Sequence, residues 1–397
     1  MSTELGRGLT SLFVVALVAA LTPVFVGLFG RFRIPQVVVL ILGGVVVGPE
    51  MLDLADPESI ELLANVGLGF LFLLAGYELD LAVFRQRAGK LAVVGWLVTA
   101  TLAVAVVATL AALGVVRAFV PVALALTTTA LGTLLPILRD HNMLRGSFGS
   151  YVLAAGAVGE FLPIVAIAIF LGSHGRFIGL ISLVAMGVLG LLLSLAPRLG
   201  RGGRVARILS EGQHATSQTT LRWTVAMLLL LLVVADNFGL DVVLGAFVAG
   251  VVLRRWAPGD GEALDHKLDA IGYGFFIPIF FVSSGMSLDL QSILEAPARL
   301  FLLFVLLLVV RGLPTLLVYR SALPWPRRLE LTFVVSTALP LLVALSEIGL
   351  ETGHMLPENA AALVGAGVLS VLVYPAIAVA IDTRLARTRD AVDETRP

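Results

Sequence analysis

The sequence predicts an all-α polytopic membrane protein of about thirteen transmembrane helices, built as an inverted-topology repeat with two broken, crossing helices. Three observations carry that expectation. Hydrophobic residues make up 58% of the 397 and charged residues only 14%, with a mean hydropathy of +1.01, far from soluble-domain composition. Apolar runs of about 18–25 residues recur along the chain, each long enough to cross a bilayer. Short motifs in the first half return in the second at one nearly constant offset.

In order, the spans are expected at 8–30, 34–49, 59–79, 91–114, 116–138, 147–171, 176–196, 219–238, 240–255, 264–287, 297–319, 328–349 and 358–381. The first lacks a small-residue cleavage site and is read as a retained span. With the N-terminus outside, the inside loops collect 22 of the 27 Lys and Arg residues, including Arg85, Arg139, Arg254, Arg327 and Arg384. Only Arg7, Arg117, Arg176 and Arg299 fall outside, and Arg311 lies within a span. The positive-inside rule therefore puts the C-terminus in the cytoplasm. Trp223, Trp256, Tyr319 and Trp325 sit near predicted cytoplasmic span ends, where aromatic anchors belong.

Net charge is zero, so charge balance points to no nucleic-acid partner, and the absence of cysteine excludes thiolate chemistry and disulfides. None of the five histidines falls mid-span. His141, His214 and His266 are cytoplasmic in this topology, as solvated loop residues or as pH sensors. No nucleophile–base pair, metal triad or phosphate-binding loop appears, so neither an enzyme nor a bound cofactor is expected.

The repeat aligns 67–81 (GLGFLFLLAGYELDL) with 276–290 (FIPIFFVSSGMSLDL) at an offset of 209, so Gly76 meets Gly285 and Asp80 meets Asp289. Gly44-Val45-Val46 matches Gly250-Val251-Val252 at 206, and Thr129-Ala130-Leu131 matches Thr337-Ala338-Leu339 at 208. An odd number of spans separates the copies, so they run oppositely through the membrane, the architecture of alternating-access transporters. The repeats are expected at 8–171 and 219–381, with 176–196 as a linker span, in one transport domain over 1–397 without a soluble regulatory domain. Spans five, six, twelve and thirteen would form the moving core, and spans one, two, eight and nine the scaffold.

Two corresponding spans are interrupted, the fifth at Thr127–Thr133 and the twelfth at Ser336–Pro340. Hydroxyls, Gly132 and the N–H-lacking Pro340 break the helices there. Paired breaks in matching positions point to a midplane site, where half-helix ends bring partial charges of roughly half a unit. The ionisable residues beside them are Glu160 on span six and Arg311 on span eleven. Intramembrane acids are functional by default, so Glu160 is the candidate ion- and proton-binding group, or else a structural partner for Arg311. Arg311 itself reads equally as a counter-charge for broken-helix ends or as a participant in the ion cycle. Thr128 and Thr129 could complete a hard-cation shell with hydroxyl and carbonyl oxygens, or serve packing by bonding back to the preceding turn.

At Arg33-Ile34-Pro35, Gly48-Pro49, 71–80 (LFLLAGYELD), Thr127–Leu138, 278–289 (PIFFVSSGMSLD) and Arg311, the chain resembles the monovalent cation:proton antiporter-2 family of Kef-type and sodium/proton exchangers. That resemblance implies a sodium/proton antiporter-like fold, a bacterial inner-membrane location and a homodimer. It places Glu160 on the carboxylate for which cation and proton compete, and Arg311 on the family's buried Lys or Arg. Gly159-Glu160 departs from the Asp-Asp or Asn-Asp common in the family. One acid implies one cation, sodium or potassium, exchanged for one proton without net charge movement. The partners implied are that cation, the proton and the lipid bilayer. The rival readings are a sodium-coupled carrier of an organic anion on a similar fold, and a membrane protein that senses the ion without transporting it.

Overall fold

The computed structural model describes residues 2–28, 34–79, 81–114, 116, 118–144, 146–171, 184–192, 218–237, 242–256 and 262–394. Asp80, Arg145, His214, Arg31, Arg33, Arg198, Arg201, Arg204, Arg207 and most of the seventh span lie outside that set. Every described element is helical or a turn; no strand occurs among the described residues. The helices are α1 (Ser2–Leu28), α2 (Gln36–Val47), α3 (Glu61–Glu78), α4 (Arg87–Ala112), α5 (Phe119–Ala125), α6 (Leu131–Asp140) and α7 (Gly146–Phe170). They continue with α8 (184–192), then α9 (Thr219–Asn237), α10 (Val242–Trp256), α11 (Glu262–Ile271) and α12 (Ile277–Met286). The last are α13 (Leu290–Glu295), α14 (Pro297–Leu306), α15 (Leu313–Val318), α16 (Trp325–Val335), α17 (Pro340–Glu351) and α18 (Pro357–Glu394). Among the described residues, eight helical stretches are long and apolar enough to cross a membrane, the interrupted Trp325–Glu351 among them; shorter helices lie in the second, fifth, eighth and ninth predicted spans. The protein is a multi-pass membrane protein.

The chain divides into two compact units. The first comprises 1–29, 39–79 and 164–287, and the second 30–38, 80–163 and 288–397.

Within the first unit the repeat becomes visible as two equivalent helix crossings. A Cβ on Gly44 of α2 would collide with the Val282 carbonyl of α12, and one on Gly285 with the Ile41 carbonyl of α2. A Cβ on Gly250 of α10 would likewise collide with the Leu73 carbonyl of α3, and one on Gly76 with the Phe247 carbonyl of α10. In all four cases the blocking carbonyl lies three residues before the partner glycine. The pairs 44/250 and 76/285 are those the sequence repeat aligns. Glycine lets backbones approach closely enough to pack in a bilayer, where no hydrophobic force drives helices together. The partners α2 and α10, at 12 and 15 residues, are both shorter than the roughly 20 a full span needs.

The second unit has a core of Leu134, Leu138, Val152, Tyr319, Leu331 and Val334, all nearly inaccessible. Tyr319 is 1% exposed and meets Tyr151 edge-on, with ring centroids 5.8 Å apart. It is therefore a core residue and not the interfacial anchor its position in the sequence suggested. Its ring has apolar partners on the inner face of the helix, and these outweigh the polar tip. Trp223 and Trp325 are exposed, at 61% and 56%. Asp289 caps α13 by accepting the Ser292 N–H at 2.8 Å. The Ser292 hydroxyl and then that N–H hold the carboxyl below the usual carboxylate range.

A candidate ion site at two interrupted helices

Both predicted interruptions are present in the second unit. The first falls between α5 and α6 at 126–130, and the second between α16 and α17 at 336–339. Gly132 and Thr133, expected within the first break, instead lie in the first turn of α6. A helix's first turn has no intrahelical acceptors for its N–H groups, so glycine and a hydroxyl are easily placed there. Pro340 opens α17 at its first position, where the missing N–H costs nothing.

The threonine run closes the end of α5. Thr127 and Thr128 hydroxyls donate to the Leu124 and Ala125 carbonyls at 2.7 and 2.8 Å, adding to the tightened i→i+3 bonds that the Thr127 and Thr128 N–H groups make to the same oxygens. At the end of α16 the Ser336 and Thr337 hydroxyls donate back to the Thr332 and Phe333 carbonyls at 2.7 and 3.2 Å. All five break hydroxyls, on Thr127, Thr128, Thr129, Ser336 and Thr337, are at most 2% exposed.

The breaks are tied directly to each other. Ala130 donates its N–H to the Thr337 carbonyl at 2.8 Å, and the Thr129 hydroxyl donates to the Val335 carbonyl at 2.6 Å. Each break is also held by one further helix. On the α18 side, Ser370 accepts the Ala338 N–H at 3.1 Å. On the α7 side, the Thr129 N–H reaches the Gly159 carbonyl at 2.9 Å. That carbonyl is available because Pro163, four residues on, has no N–H to give it. Proline in α7 thus creates the acceptor that docks the first break beside Glu160. Glu160 itself is half-buried, in the interior of the 25-residue α7.

Arg311 sits in a π-helical segment, Leu307–Gly312, between α14 and α15 and just ahead of Pro314. Such single-turn bulges re-aim side chains inside helices. The side chain is 3% exposed. Its Nε donates to the Thr129 hydroxyl at 2.9 Å and its Nη2 to the Ala155 carbonyl at 3.1 Å. Through Thr129 it stands next to the terminal carbonyls of α16, at the negative pole of that half-helix. The Thr129 hydroxyl thus links Arg311, from which it accepts, to the Val335 carbonyl, to which it donates.

Sequence reasoning missed two features. A Cβ on Gly159 would collide with Arg311 Nη2 and come 2.7 Å from Thr129 Oγ1; no motif announces that contact. The second is a charge cluster at the start of α16. There Arg327 Nη1 donates to Glu330 and Asp382 at 2.6 Å each, with its guanidinium 4.8 Å above Phe148.

The arrangement sets a half-buried acid beside two interrupted helices that are hydrogen-bonded to each other, with the buried Arg311 guanidinium at the first of them. A family model described as sodium/hydrogen exchanger, transmembrane, matches residues 14–381. The putative Na(+)/H(+) antiporter YjbQ of Bacillus subtilis is 27% identical over 389 residues, 92% of this chain and 62% of that protein. The probable Na(+)/H(+) antiporter 3 of Methanocaldococcus jannaschii is 25% identical over 290 residues, 71% of this chain and 73% of the relative. The chain thus spans just over three-fifths of the Bacillus protein's length. A solved structure of the sodium proton antiporter MjNhaP1 from Methanocaldococcus jannaschii shares the fold. It has a TM-score of 0.64 and 18% identity, over 96% of this chain and 97% of that one. With its crossing of interrupted helices and a family match over nearly its whole length, the chain belongs to the sodium/hydrogen exchanger family.

Proposed function

We propose that the chain exchanges a monovalent cation, sodium or potassium, for a proton by alternating access, with Glu160 taking either ligand but never both. The observation that supports this most is the bond from Thr129 N–H to the Gly159 carbonyl. It fixes the residue next to Glu160 against unwound backbone. The Thr128 hydroxyl oxygen keeps lone pairs for a cation while its proton is bonded to Ala125.

Coupling follows from desolvation. Carrying a bare carboxylate through a dry barrier costs several kcal/mol. About 4 kcal/mol slows the step roughly a thousandfold. Cation or proton cancels the charge, so only the loaded forms cross. Arg311 stays buried and charged throughout, and its charge leaves the stoichiometry unaltered. One acid then gives one cation per proton and electroneutral exchange.

In this reading 1–397 is one transport domain, and spans five, six, twelve and thirteen with their partners move with the ligand. The protein is a homodimer in a bacterial inner membrane, with N-terminus outside and C-terminus inside. The Bacillus and Methanocaldococcus relatives are named as Na(+)/H(+) antiporters, which supports the substrate class. The test is the purified chain in proteoliposomes with an imposed pH gradient. Added sodium or potassium should collapse the gradient at a rate unchanged when the membrane potential is clamped at zero. No cation-dependent proton movement, or uptake of an organic anion instead, would refute the proposal.

A further inference from the structure

Gly159 and Arg311 fit each other in a way that neither residue alone explains. The guanidinium occupies the space into which any side chain at 159 would project. It is 97% removed from solvent, and both acceptors it uses, Thr129 Oγ1 and the Ala155 carbonyl, are neutral. Those acceptors lie on different elements. Thr129 is in the first break, and Ala155 is one turn before Gly159 on α7. Together with the Thr129 N–H on the Gly159 carbonyl, the bonds hold residues 155–159 to the break at two points one helical turn apart. Two anchors one turn apart constrain the rotation of that turn as well as its position. Glu160 is the next residue on that turn.

We infer that Gly159 and Arg311 are a matched positioning pair: the absent side chain at 159 is the seat of the guanidinium, and the guanidinium sets the orientation of the turn that presents Glu160 to the cation. This rests on reading Glu160 as the exchange site. Even a methyl group at 159 overlaps Nη2 and stands 2.7 and 2.9 Å from Thr129 Oγ1 and Cβ, so the guanidinium and its Thr129 partner must shift to admit it. Gly159→Ala therefore acts on transport through Arg311, although it touches neither the acid nor the ion. Thr129→Val removes the acceptor of Nε without adding bulk and acts through the same group.

The experiment is a double-mutant cycle on the full chain in proteoliposomes. Half-saturating sodium and maximal rate are measured separately across pH for Gly159→Ala, Thr129→Val, Arg311→Ala and the doubles with Arg311→Ala. Each single change should raise half-saturating sodium about tenfold and displace the pH profile, and each double should match Arg311→Ala within about twofold. Contacting residues that act as a unit are non-additive in this way. Gly159→Ala with wild-type sodium dependence, or doubles whose effects multiply to about a hundredfold, would overturn the pairing. Should Arg311→Ala not fold, Gly159→Ala with Thr129→Val closes the same cycle, and multiplication there is equally fatal. The two readings fail separately. Exchange surviving in Glu160→Gln removes the site itself; a silent Glu160→Gln with multiplying doubles removes only the positioning pair.

Discussion

Glu160→Gln should reduce cation-driven proton flux to the level of empty liposomes while leaving the protein folded. Gln keeps the shape and the carbonyl oxygen but carries no charge and no titratable proton. It can neither balance a cation nor release a proton at neutral pH. The variant resembles a permanently protonated site, able to cross but with nothing to exchange. Half-burial of the side chain and the near-isosteric change keep the stability cost small, within about 1 kcal/mol, so monodispersity and melting in detergent should be near wild type. A folded Glu160→Gln protein that still exchanges would remove this acid from the mechanism.

The second large effect concerns the glycine crossings. Gly76→Val and Gly285→Val should each destabilise the protein by about 3 kcal/mol, the upper end for overpacking. The obstructing atoms are the backbone carbonyls of Phe247 and Ile41, which cannot rotate away as a side chain would. Because the repeat gives both glycines the same geometry, the two losses in melting temperature should agree closely. Gly27→Ala, with nothing within 4 Å of the added atom, is the control and should melt unchanged. A Val at either crossing that melts like wild type would show that the helices do not approach this closely.

These glycines also show what the chain makes legible. Gly44, Gly76, Gly250 and Gly285 align by offset alone, since an inverted repeat preserves its packing residues, but that Gly44 meets Gly285 and Gly76 meets Gly250 is seen only in three dimensions. Breaks are readable because Pro340 and clustered hydroxyls oppose a continuous helix. Their edges are less so. Gly132 and Thr133 look like interruption yet form a helix start, because first-turn residues and unwound residues share the same chemistry. Arg311 stands out as a lone charge in an apolar span, but its aim depends on the π-helical turn at Leu307–Gly312. That turn inserts one residue of rotation without a compositional mark beyond the nearby Pro314. Gly159 read as a lost side chain, and its use as a guanidinium seat needs the distance between α7 and Arg311, which no one-dimensional pattern contains. The Arg327–Glu330–Asp382 cluster was hidden for the same reason, with 55 residues between Arg327 and Asp382.

Competition at a single carboxylate can be read directly from the purified protein, without flux. On adding sodium to weakly buffered protein in detergent, one proton should be released per cation bound. At acid pH, half-saturating sodium should rise about tenfold for each unit of pH lowered, and Glu160→Gln should release none. Sodium binding whose strength is indifferent to pH, or which displaces no proton, would contradict the account.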